Sequence, residues 1–303
     1  MEQKRISGRY REAAAVLPVR LRKAALELPE EQQGRAEELR LRAGQALSVL
    51  LPEGETSLGV TVEPEELETL CDIATEFSRY AAVETMREGY LSVKGGVRVG
   101  LCGTAVIKDG ANTNLRQLSS AAVRIAREQI GIADPLAQQL FRDGELCSTV
   151  ILSPPGAGKT TLLRDLVRTL SAGVPPYGPR RVSLIDERGE VAMMHRGEPQ
   201  MDVGPYTDVL DACPKALGIP MVLRAMNPQI IAVDEITAYQ DIKAMSQAAG
   251  CGVRLLATIH AADVAELMEK PLYRTLLEER IFRLAISIFR TEEGRNYRVE
   301  ELP

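Results

Sequence analysis

Residues 149–163 read Thr-Val-Ile-Leu-Ser-Pro-Pro-Gly-Ala-Gly-Lys-Thr-Thr-Leu-Leu, and no other stretch of the chain constrains its fold as tightly. The apolar run Val150-Ile151-Leu152 leads into a Gly/Pro turn. Gly158-Lys159-Thr160 then opens a segment in which Leu162, Leu163, Leu166, Val167 and Leu170 recur at helical spacing. This predicts a strand that delivers a loop to the N-terminus of an amphipathic helix. Such an arrangement binds phosphate. Glycines let backbone N–H groups close round phosphate oxygens, the lysine ammonium reaches the outer phosphates, the first threonine hydroxyl ligates magnesium, and the helix dipole adds positive potential. Ser153, Pro154, Pro155, Gly156, Ala157, Gly158, Lys159, Thr160 and Thr161 are therefore the expected nucleotide-binding residues, for ATP with Mg2+. Ser153 stands where the pattern G-x-x-x-x-G-K-[ST] has its first glycine.

Three further apolar runs end in polar residues. Gln229-Ile230-Ile231-Ala232-Val233 ends in Asp234-Glu235, Val182-Ser183-Leu184-Ile185 in Asp186-Glu187-Arg188, and Leu255-Leu256-Ala257-Thr258-Ile259 in His260. In an open parallel sheet ligands gather at the carboxyl ends of the strands, so these groups are expected on the edge that carries the loop. Asp234 fits the magnesium-holding role, with Thr160 as the second metal residue. Glu235 fits the residue that orients or deprotonates the attacking water. His260, aided by Thr258, is expected to sense the γ-phosphate or orient a carboxylate, whereas His195 reads as an ordinary surface or core histidine. Charge spreads over the equatorial oxygens of a departing phosphoryl group, which makes arginines candidates: Arg188, Arg196 and Arg224, with Arg98, Arg124 and Arg127 from the first part of the chain.

The chain has 303 residues, enough for two domains with real cores. Residues 10–28 carry helical spacing interrupted by Pro18, and Leu39 to Leu51 alternate as a hairpin through Ala43-Gly44. A strand is expected near Leu58–Val62. Pro64 then opens a helix with Leu67, Leu70, Ile73, Ala74 and Phe77 on one face. Tyr90 to Ile107 form a second hairpin through Lys94-Gly95-Gly96, with glycines that signal bulges. The first 130 residues thus predict a small α+β domain, 1–130. Residues 131–303 alternate continuous apolar strands with helices at Thr160–Leu170, Asp208–Leu217, Asp241–Ala249, Asp263–Met268 and Leu272–Ile281, closed by antiparallel strands.

Net charge is −5 and the aromatic content 4%, with no tryptophan, so neither global attraction to nucleic acid nor a stacking platform for single strands is expected. The five cysteines are scattered and never spaced C-x-x-C, which predicts reduced, mostly buried thiols and no zinc site. No apolar stretch reaches about 18 residues and Met1-Glu2-Gln3-Lys4-Arg5 leads into no apolar signal core, so a cytoplasmic protein without membrane insertion is expected.

The order of these segments resembles the secretion ATPases of type II and type IV systems and the pilus motors. Those proteins have a phosphate loop, an acidic box, a magnesium-binding carboxylate strand and a histidine box behind an α+β N-terminal domain. More narrowly, four segments resemble the stage III sporulation AA family of endospore-forming bacteria: residues 95–103 (GGVRVGLCG), 184–190 (LIDERGE), 208–215 (DVLDACPK) and Arg224-Ala225-Met226-Asn227-Pro228. The resemblance implies a RecA-like P-loop core with a mostly parallel sheet. It also implies ATP hydrolysis with Glu235, Glu187, His260, Arg188 and Arg224 as catalytic residues, and a hexameric ring in the mother-cell cytoplasm. That ring would energise membrane-embedded channel proteins between mother cell and forespore. A second reading of the same core is a nucleic-acid-stimulated motor of the recombinase or helicase kind, which the acidic charge and scarce aromatics disfavour. A non-hydrolysing scaffold would lack the Glu235 base, and no Asn-Lys-x-Asp element for guanine is present.

Overall fold

The structure is a computed structural model that describes residues 2–78, 83–126, 128–291 and 294–303. The chain forms two compact units, Met1–Arg127 together with Met194–Gln200, and Glu128–Met193 together with Met201–Pro303.

In the first unit, Pro18 caps the start of α2 (Val19–Leu26) and separates it from α1 (Glu2–Ala15). The short α3 (Glu30–Arg35) leads into β1 (Glu38–Arg42), β2 (Ala46–Leu51) and β3 (Gly54–Thr61). Pro64 sits at the first position of α4 (Pro64–Ala74), where Glu63 and Glu66 form a capping box. After α5 (Val83–Arg87) come β4 (Tyr90–Val93), β5 (Val97–Lys108) and β6 (Ala111–Arg124). The six strands form one sheet in the order β3-β2-β1-β6-β5-β4, antiparallel throughout. Its buried alternate residues, Leu39, Leu41, Leu47 and Val49 among them, share a core with Tyr10, Leu17, Leu21, Leu67 and Leu70 of the helices.

Two features of this unit were not foreseen. Phe77 does not extend the apolar face of α4: it lies beyond the helix end with φ +60° and is 80% exposed. The long β6, rich in Asn, Gln, Ser and Thr, has few apolar positions to betray it. The expected bulge is present opposite Gly103, where the β5–β6 register shifts and a Cβ would come within 2.8 Å of the Arg116 carbonyl oxygen.

The second unit begins with α6 (Asp134–Ala137) and the small ribbon β7 (Phe141–Arg142) and β8 (Glu145–Leu146). Then follow β9 (Thr149–Leu152), α7 (Lys159–Ala172) and β10 (Val182–Asp186). The two-residue strands β11 (Met194–His195) and β12 (Glu198–Pro199) pair with each other in the segment that belongs to the first unit. The chain continues through β13 (Thr207–Asp211), α8 (Lys215–Ala225), β14 (Ile230–Val233), α9 (Tyr239–Gly250) and β15 (Arg254–Ile259). It ends with α10 (Val264–Glu269), α11 (Arg274–Glu278), β16 (Leu284–Thr291) and β17 (Gly294–Glu301). The sheet order is β13-β10-β14-β15-β9-β16-β17, parallel except for β17.

Parallel strands covered on both faces need apolar residues on both, and every residue of β9, β10 and β14 is buried. Val150, Leu152, Ile231, Val233, Ala257 and Ile259 pack with α8 and α9 in one core. The intervening residues face the other way, toward the buried stripe of α7.

The helix expected at Asp208–Leu217 is corrected. Thr207–Asp211 is a parallel strand, with Val209 opposite Leu184, and α8 starts only at Lys215. Pro214, extended at the helix N-cap, disfavours helix in the residue before it. As an edge strand only partly buried, β13 has no continuous apolar run to mark it. All five cysteines are free, but only Cys71 and Cys147 are buried; Cys102 and Cys251 are exposed and Cys213 lies between.

Candidate active site

The loop between β9 and α7 lies at the carboxyl edge of the second sheet. Ser153, fully buried, donates its N–H to the Ile259 carbonyl at 3.4 Å and so ties the loop to the end of β15. Gly156 and Gly158 hold φ values of +72° and +107°, a left-handed backbone that favours glycine. The turn this creates points the first amides of α7, which have no intrahelical acceptor, out of the helix end.

Lys159 opens α7 with only 6% of its surface exposed. Its ammonium donates to the carbonyls of Ser153 (3.0 Å) and Pro154 (3.2 Å) and to His260 Nδ1 (2.8 Å). The Ser153 hydroxyl lies 3.5 Å from the same ammonium, so the serine in the first loop position adds a polar contact and does not obstruct the lysine. Burial pushes the pKa of Lys159 down, opposed by the charges of Asp234 and Glu235.

Next to the lysine, the Thr160 hydroxyl donates to Asp234 Oδ2 at 2.8 Å. Thr258 Oγ1 donates to Asp234 Oδ1 at 2.6 Å and accepts from the Glu235 N–H at 2.8 Å. Glu235 has φ +52°, unusual for a residue with a side chain. Its carboxylate is held from two sides, by Arg188 Nη1 at 2.6 Å and by His260 Nε2 at 3.0 Å. His260 accepting from Lys159 at Nδ1 assigns the ring proton to Nε2, which then donates to Glu235. Lys159, Thr160, Asp234, Glu235, Thr258, His260 and Arg188 thus form one hydrogen-bonded network drawn from the ends of β9, β10, β14 and β15.

Other expected residues lie elsewhere. Glu187 forms an ion pair with Lys215, the buried first residue of α8. Asp186 builds structure: its carboxylate accepts the N–H groups of Glu190, Val191 and Ala192 at 3.0, 3.0 and 2.8 Å. Burial pushes its pKa up against those three bonds. Arg164 of α7 clamps the same turn by donating to the carbonyls of Val191 and Glu190. Arg224 is in the last turn of α8, which runs from the carboxyl end of β13 back to the start of β14, so the helix carries it to the edge opposite the loop. In the first unit, Arg98 stacks on Tyr90 at 3.9 Å, Arg124 pairs with Glu38 at 3.3 Å, and Arg196 pairs with Glu76. His195 also faces Glu76, at 3.6 Å. Arg127 lies outside the described residues.

Sequence reasoning overlooked Arg295 of β17. A Cβ on Gly158 would come within 3.1 Å of its guanidinium, so this arginine lies against the phosphate-type loop. Its position 137 residues beyond Gly158, in a polar strand, gave no motif to find it by.

The donor set fits a magnesium nucleotide. Thr160 and Asp234 offer two hard oxygens side by side, suited to a cation that keeps waters and substrate phosphates in its shell. Lys159, the α7 amides and the loop would supply a positive lining for phosphate. Among the described residues no helix is long and apolar enough to cross a membrane.

The solved structure of the ATPase DotB from Yersinia pseudotuberculosis matches with a TM-score of 0.60 at 16% identity, over 94% of this chain and 80% of that one. That of the pilus retraction motor PilT with bound ADP gives 0.58 at 15% identity, over 92% and 83%. These likenesses establish the fold as that of the RecA-like secretion ATPases. In sequence, the chain is 37% identical over 281 residues to stage III sporulation protein AA of Bacillus subtilis (strain 168), covering 93% of this chain and 91% of that protein. The profile of the family described as "Sporulation stage III, protein AA" spans residues 7–300, so it takes in both units, and the chain belongs to that family.

Proposed function

We propose that the chain is a magnesium-dependent ATPase that acts in sporulation as the motor of a secretion-type complex. The observation that carries this reading is the single network joining Lys159, Thr160, Asp234, Glu235 and His260. Lys159 holds the outer phosphates, and its buried ammonium strengthens that attraction by the low local dielectric. Thr160 and Asp234 would hold a magnesium ion, which would supply positive charge toward the phosphates. Glu235 takes the proton of the attacking water, or orients that water, once Arg188 or His260 releases one of its carboxylate oxygens. His260, bridging Lys159 and Glu235, couples the presence of the terminal phosphate to the position of that carboxylate. Arg188, just past the end of β10, adjoins this pair; Glu187, held by Lys215, acts only if that ion pair opens, and Arg224, at the far edge of the sheet, has any catalytic role only toward a neighbouring subunit.

PilT, which shares the fold, was crystallised with bound ADP, and this supports a nucleotide at the equivalent loop. Family membership supports a role in sporulation. The wider assignment is a hexameric ring in the mother-cell cytoplasm that energises a channel complex in the membrane facing the forespore. The test is phosphate release from Mg-ATP by the parental chain, Lys159→Ala and Glu235→Gln. Both variants are expected to lose at least about 10²-fold in turnover; parental rates in either would reject the assignment. Turnover unaffected by added DNA, and a rate per subunit that rises with protein concentration, are expected of a ring motor of this kind.

A further inference from the structure

Sheet order gives the loop two flanks. β9 lies between β15, with β14 beyond it, and β16, with β17 beyond it. Asp234, Glu235 and His260 all follow β14 and β15, on one flank. Arg295, the second residue of β17, reaches the loop from the other. A Cβ on Gly158 would lie 3.1 Å from both Cζ and Nη1 of Arg295 and 3.5 Å from its Nε, so the guanidinium rests on the residue just before Lys159. Among the described residues its polar partner is Gln129 Oε1, at 3.5 Å the outer limit of a hydrogen bond. Arg295 is exposed, and among the described residues the fork of its guanidinium is not committed to a buried ion pair.

A nucleotide whose terminal phosphate meets Lys159, Glu235 and His260 on the β14–β15 flank must leave the loop on the opposite flank. There its α-phosphate and nucleoside pass the Gly158 end of the turn. Guanidinium is the side chain best matched to phosphate oxygens, through two parallel N–H bonds in a fixed geometry. We propose that Arg295 binds the α-phosphate end of the nucleotide from within the same chain and so distinguishes a nucleoside di- or triphosphate from shorter phosphates. This rests on the nucleotide-binding reading of the loop, and it places the closing hairpin of the sheet in the site.

The experiment is calorimetric titration of the full chain, and of Arg295→Ala and Arg295→Lys, with Mg-ADP and separately with Mg-pyrophosphate. Loss of a charge-assisted contact of about 1.5–3 kcal/mol corresponds to a 10- to 100-fold weaker Kd for Mg-ADP in Arg295→Ala. A smaller loss is expected in Arg295→Lys, and unchanged pyrophosphate affinity in both. Mg-ADP affinity within twofold of the parent in Arg295→Ala overturns the inference. So does an equal loss for ADP and pyrophosphate, which marks a disturbed loop. A parental chain that binds neither ligand overturns instead the nucleotide reading beneath it.

Discussion

The Thr258 hydroxyl bridges two consecutive acids, donating to Asp234 Oδ1 at 2.6 Å while accepting from the Glu235 N–H at 2.8 Å. The penultimate residue of β15 thereby positions both the carboxylate proposed to hold metal and the backbone of the one proposed to handle water. Thr258→Val keeps the shape and removes the hydroxyl, leaving Asp234 Oδ1 and the Glu235 N–H unpaired at a cost of about 1–3 kcal/mol. ATP turnover is expected to fall at least about tenfold while Mg-ADP binding changes less. Equal losses in the two, measured side by side, would contradict a positioning role.

Arg188 and His260 restrain Glu235 from opposite sides. Arg188 is 61% exposed, so its ion pair contributes little to folding. Arg188→Gln is expected to leave the unfolding temperature unchanged and to lower kcat about tenfold, less than the roughly 10²-fold or more that loss of an acid–base group itself costs. Single-turnover kinetics would check this, because the effect belongs to the chemical step and not to product release.

The depressed pKa of Lys159 has a signed consequence. Burial disfavours the ammonium, so its proton leaves at a lower pH than that of an ordinary lysine. Phosphate binding needs the ammonium, and Mg-ADP affinity is therefore expected to decline on the alkaline side before the ordinary lysine value of 10.5 is reached. Stability moves the other way. As pH rises through the depressed folded value toward the unfolded one, the unfolded chain binds more protons at this position, so the contribution of this group to stability increases. Titration of the lysine followed by NMR of labelled side chains would report the proton loss directly.

Asp186 is the most deeply committed acid of the β10 end, accepting three backbone N–H groups. Asp186→Ala strands those donors inside the protein, and a loss of about 2–4 kcal/mol in unfolding free energy is expected, read from urea melts. Asp186→Asn keeps one accepting oxygen and is expected to lose less.

The loop and the strand ends could be read from sequence because each couples a local period to a sharp chemical change. Val150–Leu152 before glycine, Ile230–Val233 before two acids, and Leu255–Ile259 before His260 are such junctions. What escaped has weaker local signal. β13 is a partly buried edge strand with acids at its second and last positions, and its Asp-rich run into Pro214 imitates a helix start. β6 is polar along most of its length. Glu187 reads as a partner of the γ-phosphate in a linear string, whereas in space Lys215 claims it. Arg295 meets Gly158 only because β17 closes the sheet beside β16, a tertiary relationship with no counterpart in residue spacing.

Lys159 and His260, in contact at 2.8 Å, are 101 residues apart along the chain. During synthesis α7 can form as soon as it clears the ribosome, yet its lysine then faces neither imidazole nor carboxylate. The pocket comes into being only when the strand ending at Ile259 slots between β14 and β9, and a nascent chain arrested before that point is mute toward its ligand however well its helices are made.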